Sequence, residues 1–169
     1  MPLAASSKWQ RLNTLLSSGE TLVRFDVRKT PREAILSNTY EIYGLQPALI
    51  TGTHVKHIRV YSKTVPWCVE IMAKEQRPIT CRDVWEAIHD ALQQELDDSE
   101  WGMIVRDKKL RETVEKAAKK RESTKLKRID FLGEGTMFKG LEKDEELTKV
   151  RLLPGSEACA ETWVAIFGS

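Results

Sequence analysis

Cysteine is scarce and poorly placed for structural chemistry. The three cysteines, Cys68, Cys81 and Cys159, are widely spaced and odd in number. They make neither a disulfide framework nor a C-x-x-C pair, which speaks against a stapled secreted scaffold, a zinc ribbon or a thiol redox motif. Reduced, mostly buried thiols are expected. Histidine is as rare. His54 and His57 stand three apart in a strand-like context, which puts them on opposite faces, and no carboxylate lies beside them at ligand spacing. No metal site or cofactor is therefore expected.

Long apolar runs are missing too. No segment approaches the roughly 18–20 apolar residues of a membrane span. The opening MPLAASSKWQRL has no basic stretch followed by an apolar one, so a secretory signal is not expected. A cytoplasmic or nuclear protein without membrane contact is the reading. Nucleophile signatures are absent as well: there is no G-x-S-x-G. Gly133-Glu134-Gly135 lacks the strand–loop–helix setting and the lysine of a phosphate loop, and reads as a tight turn. No catalytic residue is assigned, and the balance leans away from an enzyme.

What is present is an ordinary folding composition. The 169 residues are 41% apolar and 31% charged, enough to bury a core and too apolar for disorder. The net charge of +2 makes no polyanion binder of the whole molecule. One stretch departs from this balance: Arg106–Arg128 carries eleven Lys/Arg against four Asp/Glu. A basic helix face of this kind can neutralise phosphates. A solvated face with i,i+4 pairs such as Glu112–Lys116 and Glu115–Lys119 is the plainer reading, and nucleic acid is the less favoured partner.

Periodicity gives the elements. Residues 1–20 read as an N-terminal arm or short helix, and 21–169 as one α+β domain. In Thr21–Arg28, Leu22, Arg24, Asp26 and Arg28 alternate with Val23, Phe25 and Val27, a half-buried strand. Thr30-Pro31-Arg32-Glu33 starts a short helix that ends near Ser37–Asn38, with an irregular connection over 39–54. His57–Ser62 and Trp67–Ala73 form a hairpin, and Thr80 opens a helix with Val84, Ala87, Ile88, Ala91 and Leu92 on one stripe. Asp97–Glu100 starts a second, long amphipathic helix over 101–121. Further strands are expected at Ile129–Leu132, Met137–Phe138, Val150–Leu153 and Thr162–Phe167, the last two split by Pro154-Gly155-Ser156. The expected fold is a mostly antiparallel sheet of about five or six strands with two consecutive longer helices on one face.

Four segments carry a family resemblance: VRFDVRKTP at Val23–Pro31, PWCVEI at Pro66–Ile71, TCRDVWEAIHDAL at Thr80–Leu92 and KRIDFLGEGTMFKGL at Lys127–Leu141. In this order they resemble the fungal family catalogued as domain of unknown function 6699, over roughly residues 13–168. The closing segment is the most specific. Phe25 stands where the family's opening strand has Trp, and Cys81 and Trp85 replace aliphatic residues in the helix. The resemblance implies a fungal, basidiomycete-type source and a stand-alone domain, and it implies no activity.

Two surfaces remain as candidates. Five tryptophans, Trp9, Trp67, Trp85, Trp101 and Trp163, are many for this length, and aromatic clusters line interaction grooves as well as cores. Trp85 and His89 lie one residue off the apolar stripe of their helix and are candidates for an exposed protein-binding surface. Arg24, Asp26, Arg28, Arg128 and Asp130 could converge in a polar pocket for a small ligand or a reaction, since buried charges must be paired. A protein-binding module is the leading expectation and the pocket the alternative. The closing segment is expected to be structural, with Ile129, Phe131 and Phe138 entering the core.

Overall fold

A computed structural model describes residues 11–50, 55–151 and 161–169. Trp9, His54, Cys159 and the turn expected at Pro154–Ser156 lie outside the described residues.

Among the described residues, five strands build one sheet in the order β1-β4-β5-β2-β3. They are β1 (Phe25–Asp26), β2 (His57–Tyr61), β3 (Val69–Met72), β4 (Met137–Glu142) and β5 (Thr162–Gly168). Three of the pairings are antiparallel, but β2 and β5 run parallel, with Val60 opposite Trp163. The sheet is therefore mixed, because β5 enters between β2 and β4 rather than closing a meander. The alternation read in Thr21–Arg28 holds for burial: Phe25 and Val27 enter the core and Leu22, Arg24 and Arg28 face outward. Only two of its residues pair as a strand, Phe25 with Phe138 and Asp26 with Met137.

The helices begin where short polar side chains satisfy free backbone N–H groups. Thr30 accepts from Glu33 N and starts α1 (Pro31–Ala34). A further helix, α2 (Ser37–Glu41), occupies part of the expected irregular connection. Thr80 and Asp83 form a reciprocal capping box on α3 (Cys81–Leu92), and Asp97 and Glu100 form another on α4 (Asp98–Ile104). The long helix expected over 101–121 is broken. Asp107 accepts from Leu110 N at 3.0 Å and starts a separate helix, α5 (Lys108–Lys120).

Two expected strands are not strands. Arg128–Leu132 is a 3-10 turn, in which Ile129, Asp130, Phe131 and Leu132 are all buried. Val150 belongs to helix α6 (Glu145–Arg151) and is exposed. The core expectation for the closing segment nevertheless holds, since Ile129, Phe131 and Phe138 are all buried in the main cluster. Phe25 packs edge-on to Phe138, and Phe131 edge-on to Trp67, a geometry favoured by the aromatic quadrupole.

Residues 11–20 cross the body without forming a helix. Leu12 bridges Leu49, Ser17 bridges Leu141, and Leu16 is buried in the main core. No helix among the described residues is long and apolar enough to cross a membrane.

Candidate functional site

Two concave regions stand out on this frame, one polar and one apolar. The polar cleft lies where α5 passes the turn after the 3-10 segment. Val114 and Ala118 fix the inner face of α5 in the core, which turns Ala117, Lys120 and Arg121 toward the cleft. Across from them the chain reverses at Gly133, whose φ of +59° favours glycine. A Cβ at Gly133 would stand 2.9 Å from Thr113 Cγ2, so the close approach of α5 also requires its absence. Arg28 enters from the end of β1. The resulting space is about 260 Å³, with Arg28, Lys120, Arg121, Asp130, Glu134 and Thr136 supplying its polar groups. A neighbouring concavity of about 300 Å³ shares Ala117, Lys120, Gly133 and Glu134 and adds Thr113 and Lys116.

Each cation of the first cleft already holds an anion. Arg28 grips Asp26 through Nε at 2.9 Å and through Nη2. Arg121 grips Asp130 with Nε at 2.9 Å and Nη2 at 2.6 Å, and Lys120 Nζ reaches Glu134 at 2.9 Å. Burial alone would push the Asp26 carboxyl up. Hydrogen bonds from the Arg28 side chain and backbone and from Thr136 outweigh it and hold the group below the usual aspartate range. The same pairing pushes the Arg28 guanidinium up, as Asp130 does for Arg121.

The expected polar pocket is only partly assembled. Arg28 and Asp130 line one cleft, and Asp26 reaches it through Arg28. Arg24 lies elsewhere, beside the apolar groove. Arg128 turns away to Glu100 at 3.2 Å and stacks 4.7 Å from the Trp67 ring centroid, a cation–π contact. Asp130 thus answers Arg121 rather than a neighbour in its own segment. Arg121, Lys120 and Glu134 were missed as members of the site. Arg121 was visible only as one basic residue among many, since its partner lies beyond the helix end.

Trp85 corrects the expected tryptophan surface. It is 0% exposed, packed against Gly44, and its indole N–H has no hydrogen-bond partner among the described residues. Cys81, Val84, Trp85, Ile88 and Leu92 form one broad buried face, so Trp85 lies on the stripe. His89 is half-buried, with Nδ1 3.2 Å from Asp90. Trp163 is buried, and Trp67 and Trp101 are half-buried. His57 does have a carboxylate neighbour: Glu70 on β3 bonds both His57 and Arg59, and lies 3.6 Å from Cys68 Sγ. The hairpin supplies this cluster across strands, where spacing along the chain does not show it. No group of three or more His, Cys, Asp or Glu side chains suited to a metal ion occurs among the described residues. The pairs Glu112–Lys116 and Glu115–Lys119 expected along the helix are not among the ion pairs of the described residues, which join Lys120, Arg121, Lys125 and Arg128 to acids outside α5 instead.

The apolar groove, of about 460 Å³, runs between residues 14–15, 20–24 and 34–39. Leu15, Val23, Ala34 and Ile35 are its less exposed apolar lining, and Leu22 and Leu36 its most exposed. Leu22 is 97% exposed and Leu36 79%. Leu22 holds the outward register otherwise used by Arg24 and Arg28, a signal present in the alternation but not used.

Fold and sites together define an α+β domain that carries, among its described residues, an ion-paired cleft and an apolar groove. The chain belongs to the family of unknown function DUF6699, whose model matches residues 23–148 and so takes in the cleft and the Leu36 side of the groove, but not Leu22. Neither the curated proteins nor the solved structures compared with it include a match.

Proposed function

We propose that this chain is a non-enzymatic protein-binding module that holds an apolar peptide segment in the groove between Leu22 and Leu36. The observation that carries the reading is the exposure of these two side chains, both lining one apolar concavity. Isolated exposed leucines are common, but two largely exposed ones lining the same groove form the kind of patch that interfaces cover. Each leucine removed from water contributes on the order of 1.5–3 kcal/mol to association. The tryptophans among the described residues do not line this groove, and the proposed partner recognises aliphatic side chains instead.

The polar cleft is the weaker candidate for a reaction, because each of its cations is paired. The proposed setting is the cytoplasm or nucleus of a fungal, basidiomycete-type cell, on the family resemblance and on the cysteine usage.

The test is selection from a displayed random-peptide library, followed by titration against Leu22→Glu and Leu36→Glu variants. Enriched peptides should carry two apolar anchors, and either substitution should weaken their binding at least tenfold without lowering the melting temperature. A library that yields no binder, or binders indifferent to both substitutions, overturns the proposal.

A further inference from the structure

The two polar concavities lie outside the apolar groove, and one chemical feature joins them. Along α5, Lys109, Lys116 and Lys120 follow one another by seven and four residues, which sets them on one helix face. Thr113 shares that face and lines the second concavity with Lys116 and Lys120. Arg28 extends the basic row at the first concavity. At about 3.6 residues per turn, Glu112 and Glu115 fall to the side of this row. Asp26 and Asp130 stand close by, but Arg28 and Arg121 hold them.

Among the described residues, the acid paired with this row is Glu134, through Lys120. From the turn opposite α5 its carboxylate reaches Lys120 and yet stays 71% exposed. Its pKa is drawn down by the Lys120 hydrogen bond and by the charges of Lys120 and Lys116. Exposed pairs of this kind are worth little and exchange readily with water or another anion.

We propose that this seam docks an acidic peptide segment, with Glu134 occupying the place of an incoming carboxylate. The argument is charge complementarity with a matching length. The helix rises about 6 Å from Lys116 to Lys120 and about 16 Å from Lys109 to Lys120. In an extended peptide, side chains two residues apart on one face are separated by about 6.6 Å, close to the rise from Lys116 to Lys120. An alternating acidic segment therefore presents one carboxylate to each of Lys116 and Lys120. A nucleic acid fits less well. Its phosphates form a continuous line of charge that extends past the short lysine row. The proposal does not depend on the apolar groove.

Fluorescence anisotropy tests it with a labelled hexapeptide alternating Glu and Ser, and with a single-stranded oligonucleotide of equal charge in a second arm. The peptide should bind the full chain at low salt and lose affinity as salt rises. Glu134→Gln, which removes the internal competitor, should tighten binding by about threefold. Lys116→Glu combined with Lys120→Glu should abolish it, while Leu22→Glu leaves it unchanged and so separates this site from the groove. All these positions are exposed, and a circular dichroism melt of each variant checks that it folds. Absence of peptide binding to both the parent and Glu134→Gln overturns the proposal. So does binding that survives the double charge reversal, or an oligonucleotide that binds more tightly than the peptide.

Discussion

Arg121, at the C-terminal end of α5, closes a two-point ion pair on Asp130, a carboxylate only 1% exposed. Lys127 N donates to the same carboxylate at 2.8 Å, and Arg121 Nη2 also donates to Lys125 O at 2.9 Å. One guanidinium thus ties the end of a helix to the loop that follows it and to the 3-10 turn beyond. Deleting one partner of a buried pair costs more than the pair contributes, because the remaining charge stays buried and unanswered.

Arg121→Ala is accordingly expected to destabilise the chain by about 3–5 kcal/mol, read as a lowered midpoint in urea unfolding. Arg121→Lys should recover only part of the loss, since an ammonium lacks the planar fork. Asp130→Asn should cost less than Arg121→Ala, because the charge it leaves, on Arg121, is the more exposed of the two. The double variant should then cost less than the sum of the two single ones. Strict additivity would show that the two side chains act independently.

Besides Gly133, the backbone requires glycine at Gly140 and not at Gly135. Gly140 has φ +112° and lies within the irregularity between Phe138 and Leu141 of the β4–β5 pairing. A Cβ there would meet Leu16 O and Ser18 Cα at 2.8 Å, both backbone atoms that cannot swing aside. The contact follows from the arm: Ser18 N donates to Leu141 O at 2.9 Å, and Leu141 N donates to Leu16 O at 2.6 Å. Gly140→Ala should cost at least about 1–3 kcal/mol from backbone strain alone, with the clash added. At Gly135 the nearest atom to a Cβ is Gly168 Cα at 3.4 Å, so Gly135→Ala should cost much less. Thermal melts of the two variants side by side check the order.

Short-range chemistry was the legible part of this fold. The caps Thr30, Thr80 and Asp97 each sit within three residues of the group they satisfy, and sequence showed all three helix starts. Alternation placed Phe25 and Val27 in the core for the same reason. Ile129–Leu132 misled because a 3-10 turn can also bury the residues at 129 and 131. Here it buries Asp130 as well, which Arg121 makes tolerable. Asp107 stopped the long helix by the same capping chemistry that was recognised elsewhere, hidden there among charged neighbours. The site was less legible. Arg28 and Asp130 were picked out as possible partners, and they share a cleft without bonding to each other. The pairing that matters joins Asp130 to a residue nine positions earlier, across a helix end.

Acid should weaken this structure through Asp26 and Glu70. Burial raises the pKa of each, but the Arg28 side chain and backbone and Thr136 outweigh it at Asp26, and Arg59 and His57 do so at Glu70. Both folded-state values therefore lie below the ordinary ones, 3.8 for the aspartate and 4.5 for the glutamate. In that window the unfolded chain binds more protons than the folded chain, so stability rises with pH there. The contribution is complete above the unfolded-state values and is lost as pH falls through the lower folded-state ones. Urea midpoints measured from pH 7 down to about 3 should fall mainly below the ordinary carboxylate range. Asp26→Asn and Glu70→Gln each remove one such group, and each should flatten the fall while lowering the plateau at neutral pH. The comparison is sharper at Asp26, where the carboxylate is the less exposed of the two. A wild-type chain whose midpoint stays level to pH 3, or an Asp26→Asn variant with an unchanged slope, would show that these pairs add nothing to folding.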